Sequence, residues 1–153
     1  AALAALLPDQ AGALAARAAA CEEELRGLDR FARGRLADIP PRHRVLVTTH
    51  DSLAHLARAY GLRVLPLSGA DGHAEPSARQ VAAVINALRA DKIPAVFMDT
   101  TASPRLAALV ARETGARLAP PLCADTLPEG GTYAETFRQN IRIIAGALRG
   151  DGG

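Results

Sequence analysis

Four short apolar runs, each followed by a stretch of helical periodicity, constrain this chain more than any other feature: Val45–Thr49, Leu62–Leu67, Ala95–Met98 and Ala116–Ala119. Near-continuous apolar runs of this length are typical of strands covered on both faces in a parallel sheet. Between and after them, apolar residues recur at three- and four-residue steps. Leu53, Leu56, Ala57 and Tyr60 share one helix face, Val81, Val84, Ile85 and Leu88 a second, and Phe137, Ile141, Ile144 and Leu148 a third. Asp51 or Ser52 is placed to cap the first of these helices and Gly61 to close it. Ser77 with Gln80, and Thr132 with Glu135, have the spacing of capping boxes. Ser103 and Pro104 begin a further helix that Gly115 ends. Strands alternating with helices predict an α/β fold: a four-stranded parallel sheet with helices on both faces.

A different pattern precedes the sheet. Leu14, Ala18, Cys21, Leu25, Leu28 and Ala32 form one helical stripe, and Pro8 suits the first turn of that helix. Ile39-Pro40-Pro41 stops it, because a residue before proline disfavours the α conformation. A helix of about 30 residues is about 45 Å long, whereas a four-unit α/β lobe is only about 30 Å across. The expected division is therefore a long helix over 1–39 and an α/β lobe over 40–150. The helix outruns its lobe, so some of Leu3, Leu6, Leu7 and Leu14 should be exposed or buried in a contact with another body.

Aromatic residues make up 3% of the 153 and tryptophan is absent, so the core must be aliphatic. The net charge is +2, and Lys92 is the single lysine among the basic residues. The arginines are scattered through helices among acids with few aromatics between them, which argues against nucleic-acid binding. Cys21 and Cys123 follow no metal or redox spacing. Cys21 on the helix stripe reads as a buried free thiol, and Cys123 as a packing residue. No stretch approaches the roughly 20 apolar residues of a membrane span. The Ala-Leu start lacks the basic segment that opens a signal peptide.

The chemistry-bearing residues stand at strand ends. His50 closes the first apolar run, and Asp125 follows Leu122-Cys123-Ala124. Ligands in a parallel α/β sheet bind outside the carboxyl ends of the strands, so these two side chains should face one crevice. An imidazole and a carboxylate converging there suggest a divalent metal site, and two ligands leave incomplete a site that usually needs about four. Taken singly, His50 could be a hydrogen-bonded structural residue and Asp125 a turn residue. Asp99 reads as a cap for the helix near Ser103. His43 and His73 read as solvent-facing loop residues, and His55 makes no helical pair with His50. There is no G-x-S-x-G elbow, P-loop or G-x-G-x-x-G turn. Asp99 at a strand end lacks the acidic pair and late lysine of a phospho-accepting regulator.

The run Thr48-Thr49-His50-Asp51-Ser52-Leu53-Ala54-His55-Leu56, closing with Tyr60-Gly61, resembles a block of the zinc- and manganese-specific solute-binding proteins of ABC importers. There the block reads T-x-H-D-A-F-x-Y-F-x-x-x-Y-G. The likeness continues in order through Ala74-Glu75-Pro76-Ser77, Ala95–Asp99 with Ser103-Pro104, Ala111–Ala116, and Asp125-Thr126-Leu127 with Tyr133 and Asn140. It spans nearly all of residues 40–148. The resemblance implies that the chain is the carboxy-terminal lobe plus the interlobe helix of a two-lobe receptor. His50 and Asp125 match two of the family's four metal-ligand positions. It further implies a missing amino-terminal lobe that supplies the other ligands, a membrane permease as partner, zinc or manganese as cargo, and no catalysis. A periplasmic or extracytoplasmic location follows, with a membrane anchor in a missing amino-terminal segment as one form of it. Leu53 and Leu56 replace the family's aromatics, His55 replaces a Tyr, and Asp99 stands where the family has Glu. Two other readings of the same crevice are a small α/β enzyme or nucleotide-binding domain, and a lobe that has lost metal binding and serves protein contacts.

Overall fold

The computed structural model describes residues 2–67, 76–100 and 104–150. Its strands are β1 (Val45–Thr48), β2 (Arg63–Pro66), β3 (Ala95–Val96) and β4 (Arg117–Leu118). Val45 to Thr48 register in parallel with Arg63 to Pro66, and Ala95 and Val96 with Arg117 and Leu118. The expected sheet is therefore drawn as two parallel pairs. They are joined through β1 and β3, where the Phe97 amide donates to the Val47 carbonyl at 2.8 Å. That gives the order β2-β1-β3-β4. Beyond β3 and β4 a parallel bridge pairs Asp99 with Leu122, carried by a bond from the Leu122 amide to the Met98 carbonyl at 2.8 Å.

Among the described residues six α-helices accompany the strands: α1 (Ala2–Leu6), α2 (Ala11–Leu36), α3 (Ala54–Ala59), α4 (Ala78–Asp91), α5 (Pro104–Thr114) and α6 (Tyr133–Leu148). The alternation of strand side chains divides the core in two. Leu46, Ala95 and Phe97 point into a cluster with Ala32 and Leu36 of α2 and Ile141, Ile144 and Leu148 of α6. Val45, Val47 and Val96 point the opposite way, against Val84 and Leu88 of α4 and Ala107 and Val110 of α5. Helices thus cover both faces, as the unalternating strands require.

Both expected capping boxes are formed, Ser77 with Gln80 at α4 and Thr132 with Glu135 at α6. Gly61 and Gly115 take the positive φ that ends α3 and α5. Helix α3 starts later than expected. Leu53 occupies its cap position without a side-chain bond, and the Asp51 carbonyl accepts from the Ala54 amide at 2.8 Å. His73 and Ser103 lie outside the described residues.

Two expectations about burial fail. His43 is buried rather than solvent-facing, because its Nδ1 lies 3.0 Å from the Leu148 carbonyl, capping the carboxyl end of α6. Cys21 is exposed rather than buried. Helix α2 runs unbroken over 26 residues, with Pro8 in a separate 3-10 turn ahead of it, yet only Leu28, Ala32 and Leu36 of it are buried. Those three reach the core beside α6; the preceding part of the stripe projects past the lobe. No helix among the described residues is long and apolar enough to cross a membrane.

Candidate metal centre

The first functional side chain is delivered by a turn directly after β1. The Thr48 hydroxyl donates to the His50 carbonyl at 2.7 Å, and the Thr49 hydroxyl lies 3.3 Å from His50 Nδ1. His50 Nε2 then stands 3.3 Å from Asp125 Oδ2. The two residues placed at one crevice by strand topology do meet there, across 75 positions of sequence.

Asp125 sits on a loop whose backbone is held residue by residue. Leu122 is bridged to Asp99. Asn140, buried on α6, accepts from the Cys123 amide through Oδ1 at 3.1 Å and donates through Nδ2 to the Cys123 carbonyl at 2.7 Å. The Ala124 amide donates to Asp99 Oδ2 at 3.3 Å. Three consecutive residues are therefore fixed before the chain reaches Asp125, which limits how far its carboxylate can stray.

Asp99 is part of the same cluster. One ligand atom each from His50, Asp99 and Asp125 lie within 4.8 Å of one another. The three form a gradient from core to solvent: Asp99 is 5% exposed, the His50 side chain 28% and the Asp125 side chain 52%. Among the described residues this is the one such group of three or more His, Cys, Asp or Glu side chains. One nitrogen and two carboxylates suit a divalent cation, with remaining positions left for water or other donors. Beside Asp125 opens a cleft of about 450 Å³ whose lining includes Leu56, Tyr60, Tyr133 and Phe137.

The remaining candidates fall outside the group. His55 is on the exposed side of α3, with Nδ1 3.2 Å from Arg58, and Cys123 is half-buried with its backbone held by Asn140. Behind α3, Tyr60 is tied to Asp29 of α2. Burial raises the Tyr60 pKa, and the Asp29 charge raises it further, so the phenol remains a donor. The hydrogen bond from Arg33 in turn holds the Asp29 carboxyl below its ordinary range.

Sequence reasoning gave Asp99 only a capping role and did not foresee the work of Asn140. A signal existed for Asn140: it lies on the inward stripe of α6 between Phe137 and Ile144. A polar residue there must find a partner when buried.

Residues 1–147 match the family described as zinc-uptake complex component A, periplasmic (ZnuA). The chain belongs to this family. Among ZnuA relatives, the manganese-binding lipoprotein MntA of Bacillus subtilis (strain 168) is 34% identical over 152 residues, covering 94% of this chain and 50% of the relative. The iron-binding protein YfeA of Yersinia pestis is 35% identical over 132 residues, 84% of this chain and 42% of YfeA. The solved structure of the periplasmic zinc binding protein TroA from Treponema pallidum superposes with a TM-score of 0.85 at 27% identity, over 96% of this chain and 56% of TroA. A mutant of a periplasmic metal binding protein from Candidatus Liberibacter asiaticus, solved with manganese bound, gives 0.86 at 29% identity, over 96% and 56%. The chain thus spans about half the length of the ZnuA relatives it matches.

Proposed function

We propose that this chain forms the carboxy-terminal half of a receptor that captures a divalent transition-metal ion, zinc or manganese, for an ABC importer. His50 Nε2 and Asp125 Oδ2 are direct donors in this reading. The observation that carries it is their 3.3 Å approach at two parallel strand ends in a ZnuA-family chain. Donors 3.3 Å apart subtend about 104° at an ion about 2.1 Å from each, close to a tetrahedral angle. The ion is cargo: it is bound, carried and released to a membrane permease, and no bond in a substrate is made or broken.

The remaining ligands come from an amino-terminal lobe, and the projecting half of α2 is the span that reaches it. Residues 1–39 then act as the interlobe helix and 40–150 as the lobe, on the periplasmic or extracytoplasmic side of a membrane. The names of the relatives support a metal receptor and vary over manganese, iron and zinc.

Calorimetric titration of residues 1–153 with zinc, against a chelator of known strength, tests the reading. Binding should be weak, because water must fill the other positions and the half-site gains little from preorganisation. It should vanish in His50→Ala. Nanomolar one-to-one binding by the isolated chain would show a complete site and overturn the half-receptor reading.

A further inference from the structure

His50 and Asp125 reach the site on separate arms of the chain, and each arm needs a hold. The loop of Asp125 is fastened to α6 through Asn140. The turn of His50 is held at its β1 end by the Thr48 hydroxyl. Its other end runs into α3, where the Ala54 amide donates to the Asp51 carbonyl at 2.8 Å. Helix α3 has six residues and no side-chain cap at its start. So short a helix is not stable by itself, and it stands where tertiary contacts put it. We infer that Arg33 and Arg44 are positioning residues for metal binding: they fasten the Tyr60 end of α3 to α2, so that His50 is held in the same frame as Asp125. The inference rests on the reading of His50 and Asp125 as donors.

Two contacts of different kinds carry it. Arg44, the residue before β1, is half-buried and donates to four backbone carbonyls. Its Nη2 reaches Leu36 at 3.1 Å and Ala37 at 3.2 Å, its Nε reaches Ile39 at 3.2 Å, and its Nη1 reaches Tyr60 at 3.4 Å. Carbonyls at the end of a helix lack partners within it and carry the negative end of its dipole. One guanidinium thus serves the ends of α2 and α3 together, which its planar fork allows and the compact ammonium of a lysine does not. The second contact comes from α2 itself. The Arg33 guanidinium stands 5.7 Å from the centroid of the Tyr60 ring, within reach of a cation–π interaction. Asp29 steadies it, with Arg33 Nε donating to Oδ2 at 2.9 Å.

Between the two helix ends lies a cleft of about 320 Å³ whose lining includes Arg33, Leu36, Arg44 and Tyr60. The two guanidiniums reach across a gap that apolar side chains leave open. Beyond it the frame is shared with the other donor. Ala32 and Leu36 of α2 pack with Ile141 and Ile144 of α6, and the Tyr60 ring lies 6.4 Å from the Phe137 ring of α6. Asn140, which holds the Asp125 loop, follows Phe137 on the same helix. Donors bind well only when their supports hold them within about 0.5 Å of the productive geometry. With Tyr60 released, the His50 turn would keep its hold at β1 and lose the one at α3.

The test sets zinc affinity, by chelator competition, beside urea stability in the protein as its gene encodes it. Arg33→Met and Arg44→Met keep an apolar stem and remove the guanidinium. Each should weaken zinc by about threefold and the two together by about tenfold, the lower end of the loss for groups that orient ligands from outside the site. Arg33→Lys, which keeps a cation over the ring, should recover most of its share; Arg44→Lys should not recover its own. Arg149→Met is the control. Arg149 binds the same end of α2, donating to the Arg35 carbonyl at 2.6 Å and pairing with Asp38 at 3.1 Å, but it reaches there from the end of α6. Its loss should lower stability and leave zinc affinity unchanged. The Arg33 side chain is 63% exposed, so its variants should fold, and they decide the matter if those at position 44 do not. Wild-type affinity in a folded Met variant overturns the inference for that arginine, and a loss as large in Arg149→Met overturns it for both, since general loosening of α2 would then be the cause. His50→Ala separates the two levels. If it binds zinc like the wild type, the donor reading falls and this inference with it; if it alone abolishes binding while the arginine variants bind fully, only this inference fails.

Discussion

The carboxy-terminal third of α2 and the rest of that helix carry the same apolar repeat and end in opposite surroundings. Leu28, Ala32 and Leu36 are buried, whereas Cys21 and Leu25 on the same stripe are exposed. Helical periodicity fixes which face is apolar; burial depends on what comes to lie over that face. For Leu36 the cover is α6, about a hundred residues further on. For Leu25 no described element supplies one. The exposed part is instead sustained locally, by alanine-rich composition and by ion pairs along the helix, Glu22 with Arg26 and Glu23 with Arg30. Such exposed pairs contribute little to stability, so the projecting part is a helix by propensity and the last third a helix by packing.

The largest effect expected from this contrast is at its buried end. Leu36 is 2% exposed within the main cluster. Leu36→Ala should destabilise the chain by about 2–5 kcal/mol, from lost burial and the cavity left behind. Urea unfolding followed by circular dichroism measures it. A cost below about 1 kcal/mol would mean that α2 is peripheral to the core along its whole length.

The same contrast explains how much of the molecule was readable in advance. Strands, helices, capping boxes and the two-sided core follow from short-range pattern, because backbone bonding and periodicity are local. The approach of His50 to Asp125 is legible for a related reason: parallel topology sends strand ends to one edge, so their position implies their neighbourhood. Asp99 stands at such an edge as well, but its burial depends on Leu122 and Ala124 folding over it, which no local pattern records. His43 was misjudged similarly, because its partner is a carbonyl of Leu148, 105 positions away. Cys21 failed in the opposite direction, since periodicity promised a cover that the lobe does not provide.

Asn140 joins the packed region to the site, and its effect should be smaller than that of Leu36. Asn140→Ala would leave the Cys123 amide and carbonyl without their bonds at 3.1 and 2.7 Å. Buried backbone groups left unpaired cost about 1–3 kcal/mol. Metal affinity should fall further than in a surface control of equal stability, because the loop carrying Asp125 loses its anchor. Equal affinity at equal stability would show that the Asp99 bond to Ala124 suffices to hold the loop.

At the amino end of α6, Thr132→Ala should cost about 1 kcal/mol, the usual effect of losing a cap. The Thr132 hydroxyl, then its amide, hold the Glu135 carboxyl below the ordinary range by hydrogen bonding. A depressed folded pKa means that this contribution is complete above the unfolded value and is lost as pH falls through the folded one. The variant should therefore lose stability near neutral pH and lose less on acidification, with the Glu135 carboxyl, followed by NMR, moving upward. A parallel offset at every pH would break the link between the cap and this carboxylate.

The smallest effect belongs to the projecting half, and its size depends on what surrounds it. Leu25 is 47% exposed, so Leu25→Ala in residues 1–153 should change stability by less than about 0.5 kcal/mol, as surface substitutions do. If the longer protein lays a second lobe over this stretch, the same substitution there should cost several-fold more, since the leucine would then leave a cavity. Cys21, four residues earlier on the stripe, gives an independent reading through its thiol. It should react readily with a maleimide in residues 1–153 and slowly in a protein that carries the proposed second lobe. Equal reactivity and equal cost in both would show that this part of α2 stays bare, and the proposed lobe would have to dock elsewhere.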